Sequence, residues 1–221
     1  MKKTVIIVGG GKGERMGGDL PKQFIPVQGK PVLMHTLNVF YRWDAAACLL
    51  LVIPKEFNDY WKMLCRELQF TVPHRTVNGG ETRYHSVRNA LHEMERSGLI
   101  AVHDGVRPFV SPDIIDSCFR TAEVCGAAIP VIPVIESVRD YTGDKSHEFD
   151  RTRLRIVQTP QVFHAALLFK AYEQPYNERF TDDASLVEAT GHTVRLVDGS
   201  RENIKITTPV DIRYAEILSG Y

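Results

Sequence analysis

Thr4-Val5-Ile6-Ile7-Val8 runs straight into Gly9-Gly10-Gly11-Lys12-Gly13-Glu14-Arg15-Met16, and this stretch decides the reading of the chain. A short β-branched run ending in glycines reads as a strand opening an α/β unit. The same rhythm repeats outward from it. Cys48–Ile53 is continuously apolar, as suits a central strand covered on both faces, and Leu99–Val102, Ala127–Val134 and Thr193–Val197 read as further strands. Helical spacing runs through Val32–Trp43, with Leu33, Leu37 and Phe40 on one side, and through Glu56–Leu68, Thr82–Met94, Phe163–Tyr172 and Thr181–Ala189. Ser111-Pro112-Asp113 and Thr208-Pro209-Val210-Asp211 each set a hydroxyl cap before a first-turn proline, so each opens a helix. The alternation predicts an α/β fold with a Rossmann-like, doubly wound, mostly parallel sheet. Ligands of such sheets bind at the carboxyl ends of the strands, which points to the loops after Val8, Val77 and Val102. A polar segment with a Tyr141-Thr142-Gly143-Asp144 turn breaks the rhythm. It is expected to project as a β-arm at about 136–158 from a single domain spanning 1–221.

The 221 residues carry 27 Lys plus Arg against 27 Asp plus Glu, a net charge of +0. That balance argues against a general nucleic-acid binder, which needs a surplus of cations against phosphates. It leaves room for a local basic pocket. Cys48, Cys65, Cys118 and Cys125 form no CxxC pair and read as free thiols of a reducing compartment. The apolar run behind Met1-Lys2-Lys3 is too short for a signal peptide, and Ala45–Ile53 is too short to span a bilayer. The expectation is a cytoplasmic protein without membrane contact. The eight histidines show neither HxxxH nor HExxH spacing, which speaks against a zinc site.

The glycine loop is neither of two familiar phosphate loops. Met16 stands where GxGxxG needs its last glycine, and Gly13 stands where a Walker A sequence needs Ser or Thr. Glycine amides can still approach phosphate oxygens. Arg15 and Lys22 add two cations to the same region, and Pro21 stiffens the approach to Lys22.

Further motifs follow in order: Gly79-Gly80-Glu81-Thr82-Arg83 with Ser86, His103-Asp104-Gly105-Val106-Arg107-Pro108, and Asp150-Arg151. Then come Gln158-Thr159-Pro160-Gln161, Thr181-Asp182-Asp183-Ala184 and Asn203-Ile204-Lys205-Ile206-Thr207. With Gly9–Met16 and Pro21-Lys22-Gln23-Phe24, these resemble the sugar-phosphate and polyol-phosphate nucleotidyltransferases. Within them they look like the 2-C-methyl-D-erythritol 4-phosphate cytidylyltransferases of the non-mevalonate isoprenoid route. The resemblance covers nearly the whole chain. It departs at Gly9-Gly10, where the family usually has two alanines, at Glu14, often basic, at Gly105-Val106, usually two alanines, and at Ser137, usually Thr.

The resemblance implies attack by a substrate phosphate oxygen on the α-phosphorus of CTP, with loss of pyrophosphate. It assigns Arg15 and Lys22 to the transition state, and Arg151 and Lys205 to the acceptor phosphate. It assigns Gly9, Gly10, Gly11, Gly13, Gly80, Glu81, Ser86, Asp104, Gly105 and Arg107 to the nucleotide. Ser137, Thr159 and Thr181 fall at positions near the acceptor. Asp104 is the implied Mg²⁺ ligand, since Mg²⁺ needs only one or two carboxylates beside substrate phosphates. The arm implies a homodimer in which Arg151 reaches a neighbouring site. From the residues alone, Asp104 also suits an Asx cap, Arg107 a structural pair with Asp104, and Ser86 a bond back to a helix carbonyl. Two rival functions stand beside the leading one. They are a ribitol (pentitol) 5-phosphate cytidylyltransferase and a non-catalytic nucleotide-binding regulator. Asp150-Arg151 and the Thr181 motif favour the first reading over the former, and the acceptor-side cations favour it over the latter.

Overall fold

A computed structural model of the chain describes residues 1–10 and 21–220. The elements are β1 (Lys3–Val8), β2 (Pro26–Val27), β3 (Lys30–Pro31), α1 (Val32–Trp43), β4 (Cys48–Ile53), α2 (Asn58–Glu67), β5 (Arg75–Asn78), α3 (Arg83–His92) and β6 (Leu99–Asp104). They continue with α4 (Pro112–Cys125), β7 (Ala127–Pro133), β8 (Val138–Thr142), β9 (Lys145–Phe149), β10 (Arg155–Val157), β11 (Gln161–His164), α5 (Ala165–Ala171), α6 (Asp183–Glu188), β12 (Arg195–Asp198) and α7 (Pro209–Ser219).

The central sheet runs β5-β4-β1-β6-β11-β7, with β10 and β12 also paired to β7. β5, β4, β1 and β6 are mutually parallel, β12 is parallel to β7, and β11 is antiparallel to both β6 and β7. The sheet is therefore mostly parallel, as the alternation predicts. Its strands alternate between two cores. Leu50 and Val52 face the layer of α3, α5 and α6, while Leu49, Leu51 and Ile53 face α1, α2 and α4. Both faces are covered, which is why Leu49–Ile53 are all buried and carry no polar alternation.

The helices follow their local signals. In α1, Leu33, Leu37 and Phe40 make one fully buried stripe, each side chain stabilising by about 1.5–3 kcal/mol. Ser111 Oγ accepts from the Ile114 N–H to open α4, and Gly126, at φ +88°, ends it where a side chain would be strained. Asp182 with Ser185, and Thr208 with Asp211, form reciprocal caps on α6 and α7.

Two expectations are corrected. The helix read over Phe163–Tyr172 is instead the strand β11 followed by α5, because Val162 and Phe163 are buried within the sheet between β6 and β7. The segment 136–158 divides. β8 and β9 form a separate exposed hairpin, but β10 returns to pair with Val131–Pro133 of β7. Among the described residues, no helix is long and apolar enough to cross a membrane.

Candidate active site

The parallel strands deliver their carboxyl ends to one edge of the sheet. Val8 is in register with Asp104, the Gly105 N–H donates to the Val8 carbonyl (2.9 Å), and the Gly9 N–H donates to the Val52 carbonyl (2.8 Å). The Gly79 N–H donates to the Ile53 carbonyl (2.8 Å), which brings the loop after β5 alongside. Thus Gly9-Gly10, Gly79-Gly80 and Asp104-Gly105 share one rim.

Ser86 joins two of these loops. Its hydroxyl accepts from the Gly80 N–H at 3.1 Å and faces Gly10. The alternative of a bond back to a helix carbonyl is not what Ser86 does. Gly80 is close-packed: a Cβ there would lie 2.4 Å from the Cβ of His85. Glu81 and Gly80 are exposed. Buried Gln23 fixes the rim by donating to the Gly9 carbonyl at 2.6 Å. Lys22, one residue before it, is half-buried on the short 3-10 turn Lys22–Phe24. Gly11, Gly13 and Arg15 lie outside the described residues.

Asp104 collects charge. Lys205 Nζ lies 2.9 Å and Arg107 Nε 3.4 Å from its Oδ2, and Arg83 Nε lies 3.7 Å from its Oδ1. Burial alone would raise the Asp104 pKa. The three cations outweigh it and hold the carboxyl well below the usual carboxylate range. These contacts, rather than an Asx cap, occupy the carboxylate. Arg107 is buried, pairs with Asp104 and donates to the Asn203 carbonyl at 2.7 Å.

His103 and Thr159 hold Asp104 from behind. The Asp104 N–H donates to Thr159 Oγ1 (3.1 Å), which lies 3.0 Å from His103 Nδ1, and His103 Nε2 donates to the Arg107 carbonyl (3.0 Å). A carbonyl only accepts, so Nε2 carries the proton. Burial pushes the His103 pKa down to about 4, and the ring is neutral. Thr159 is buried in this network, with its hydroxyl accepting from the Asp104 N–H. The Lys205 segment is strapped to the same loop. The Ile206 N–H donates to the Val106 carbonyl (2.9 Å), and Asn203 donates to the Thr159 carbonyl (2.9 Å).

Arg151, Ser137 and Thr181 are exposed. Arg151 follows the hairpin, on a 3-10 turn capped by Asp150, and donates to the Ile135 carbonyl.

The chain matches the family IspD: 2-C-methyl-D-erythritol 4-phosphate cytidylyltransferase over residues 3–220. The chain belongs to that family. It is 54% identical over 218 residues to the 2-C-methyl-D-erythritol 4-phosphate cytidylyltransferase of Bacteroides thetaiotaomicron, covering 99% of this chain and 100% of that one. The crystal structure of the enzyme of that name from Thermus thermophilus superposes with a TM-score of 0.80 at 32% identity, covering 100% of both chains. The 4-diphosphocytidyl-2C-methyl-D-erythritol synthase of Anaerococcus prevotii superposes with a TM-score of 0.84 at 29% identity, covering 100% of this chain and 96% of that one. The activity of this cytidylyltransferase family, and of this chain within it, is CTP-dependent cytidylyl transfer to 2-C-methyl-D-erythritol 4-phosphate in isoprenoid synthesis.

Three residues of this cytidylyltransferase site have no assigned role in the sequence reading: Arg83, Asp183 and Tyr172. Arg83 Nη2 donates to Asp183 Oδ2 at 2.6 Å, and the Tyr172 hydroxyl donates to Asp183 Oδ1 at 2.5 Å. A signal for Arg83 exists. A cation in the first turn of a helix opposes the helix dipole, so it needs a specific anionic partner. Asp183 gives no such signal, because an acid in the first turn is favourable anyway.

Proposed function

We propose that the transfer is carried out on the rim between Gly9-Gly10, Gly80–Ser86 and Asp104, with the Asp104 cation cluster facing the reacting phosphates. The observation that carries this reading is the convergence of Arg83, Arg107 and Lys205 on one buried carboxylate at the carboxyl end of β6. An acceptor phosphate oxygen forms a bond to the α-phosphorus of CTP. The bond from that phosphorus to the bridging oxygen breaks, and pyrophosphate leaves with the electron pair. Anion attacks anion, so the work is charge neutralisation and in-line placement. Arg15 and Lys22 neutralise the nucleotide phosphates. Lys205 places its charge beside Asp104, where the acceptor phosphate meets the nucleotide, and Arg151 grips that phosphate from the arm. The Gly9, Gly10, Gly11, Gly13 and Gly105 backbone contacts the nucleotide, while Gly80, Glu81 and Ser86 take its base and ribose. Ser137 and Thr181 line the acceptor side.

The donor set fits Mg²⁺. Among the described residues no cluster of three or more His, Cys, Asp or Glu side chains forms a protein-only metal cage. Mg²⁺ instead takes one or two carboxylates with substrate phosphates. Asp104 Oδ1, approached only to 3.7 Å by Arg83 among the described residues, is the oxygen that would hold it. Bound there, Mg²⁺ would supply charge neutralisation of the nucleotide phosphates.

The proposal includes a homodimer built through the β8–β9 hairpin. Support comes from apolar side chains exposed on and beside it: Tyr141, Phe149, Ile135, Ile156 and Val157. It also includes a cytoplasmic location, supported by four unpaired cysteines, of which Cys118 is buried with its thiol pushed up to about 12. The test of the site is Arg151→Ala. It is expected to weaken use of the acceptor, and unchanged acceptor KM and turnover would remove Arg151 from the site.

A further inference from the structure

Arg83 sits between two carboxylates and treats them differently. Its Nη2 makes a direct 2.6 Å bond to Asp183 Oδ2, whereas its Nε stays 3.7 Å from Asp104 Oδ1. A guanidinium beside a carboxylate ordinarily closes to a short, often bidentate pair of about 2.7–2.9 Å. Something therefore holds this one back, and Asp183 is placed to do so. Asp183 is fully buried, accepts the Tyr172 hydroxyl on Oδ1, and donates its own N–H to Gln161 Oε1 at 3.0 Å. Tyr172 in turn stacks on Tyr84, the neighbour of Arg83, with ring centroids 5.0 Å apart. The anchor is thus fixed to α5, β11 and α3 together.

We propose that Arg83 is a positioning residue for the transfer, and that Asp183 holds its guanidinium off Asp104 so that Asp104 Oδ1 stays open toward the nucleotide. The proposal rests on the preceding reading that Asp104 faces the nucleotide phosphates. Lys205 and Arg107 already take Oδ2, so Oδ1 is the oxygen that matters. Arg83 lends its charge to Asp104 without consuming that oxygen. It also links α3, which follows Gly80-Glu81, to α6, which follows Thr181. The nucleotide side and the acceptor side of the site are joined through one side chain.

The test is a mutant cycle on the full-length protein, read by CTP calorimetry, by kcat and KM for each substrate, and by thermal unfolding. Asp183→Asn frees Arg83 to close on Asp104, and CTP affinity and kcat/KM for CTP are expected to fall roughly tenfold or more. Adding Arg83→Gln to Asp183→Asn removes the blocking group and is expected to restore part of that loss. A double variant no better than Asp183→Asn alone overturns the proposal. Should Asp183→Asn fail to fold, Tyr172→Phe loosens the same anchor through one hydrogen bond. It is expected to give a smaller loss in the same direction, again partly relieved by Arg83→Gln, and no relief overturns the proposal. Asp104→Asn separates the two readings. If that variant leaves CTP affinity unchanged, the placement of Asp104 fails. If it weakens CTP while Asp183→Asn does not, the Arg83 proposal fails alone.

Discussion

Replacing Asp104 by Asn removes the charge on which Arg83, Arg107 and Lys205 converge while keeping the side-chain shape. Breaking a buried charge cluster from one side costs about 3–5 kcal/mol, so thermal unfolding is expected to shift down and the Mg²⁺ dependence of turnover to change. Lys205→Met separates stability from chemistry. Its side chain is 42% exposed, so its ion pair contributes at most about 1 kcal/mol, and unfolding is expected to move little. With Lys205 in its proposed role at the acceptor phosphate, its loss is expected to cost roughly 10²–10³ in kcat, so turnover is expected to collapse. His103 gives a pH prediction with a definite sign. Its pKa is lowered from 6.5 to about 4, so between those values the unfolded chain binds the extra proton. Stability is therefore expected to fall as pH drops from 6.5 to 4, by on the order of 3 kcal/mol from this group. Asp104, whose pKa is also lowered, adds its own loss below its ordinary 3.8. Urea titrations across this range are expected to show the slope in the native protein and to lose most of it in His103→Gln, which can keep a donor to the Arg107 carbonyl. An unchanged slope would remove His103 as its source.

At the scale of elements, the β8–β9 hairpin carries the assembly prediction. Tyr141→Asp and Phe149→Asp each charge an exposed apolar position, and sedimentation is expected to show a shift from dimer to monomer. A native protein that sediments as a monomer would contradict the role given to the hairpin. Most elements were legible because each carried its own signal: Ser111 and Thr208 at caps, and Leu33, Leu37 and Phe40 on one stripe. β11 was not legible. Gln161–His164 is four residues long and runs directly into α5, so its apolar residues extend the helical pattern and the sheet pairing that decides them lies far away in sequence. β10 was hidden likewise, since its pairing with β7 is a tertiary fact that its exposed residues do not announce. The same holds for the site. Asp104 and Lys205 lie in recognisable motifs, whereas the Arg83–Asp183 link spans 100 positions and only the fold brings it together.

Across the whole molecule, a mostly parallel sheet covered on both faces delivers three loops to one rim, where Arg83, Arg107 and Lys205 converge on Asp104. The fold alone would serve many activities; the cation cluster and the family's motifs narrow them. The pentitol-phosphate alternative names a different acceptor for the same cytidylyl transfer, so the acceptor is what the decisive measurement varies. The most direct measurement is pyrophosphate release by the purified protein with CTP and Mg²⁺, comparing 2-C-methyl-D-erythritol 4-phosphate with ribitol 5-phosphate. Release with the methylerythritol phosphate and none with the ribitol phosphate is the predicted result. Release with the ribitol phosphate alone, or silence with both from folded protein that binds CTP, would contradict it.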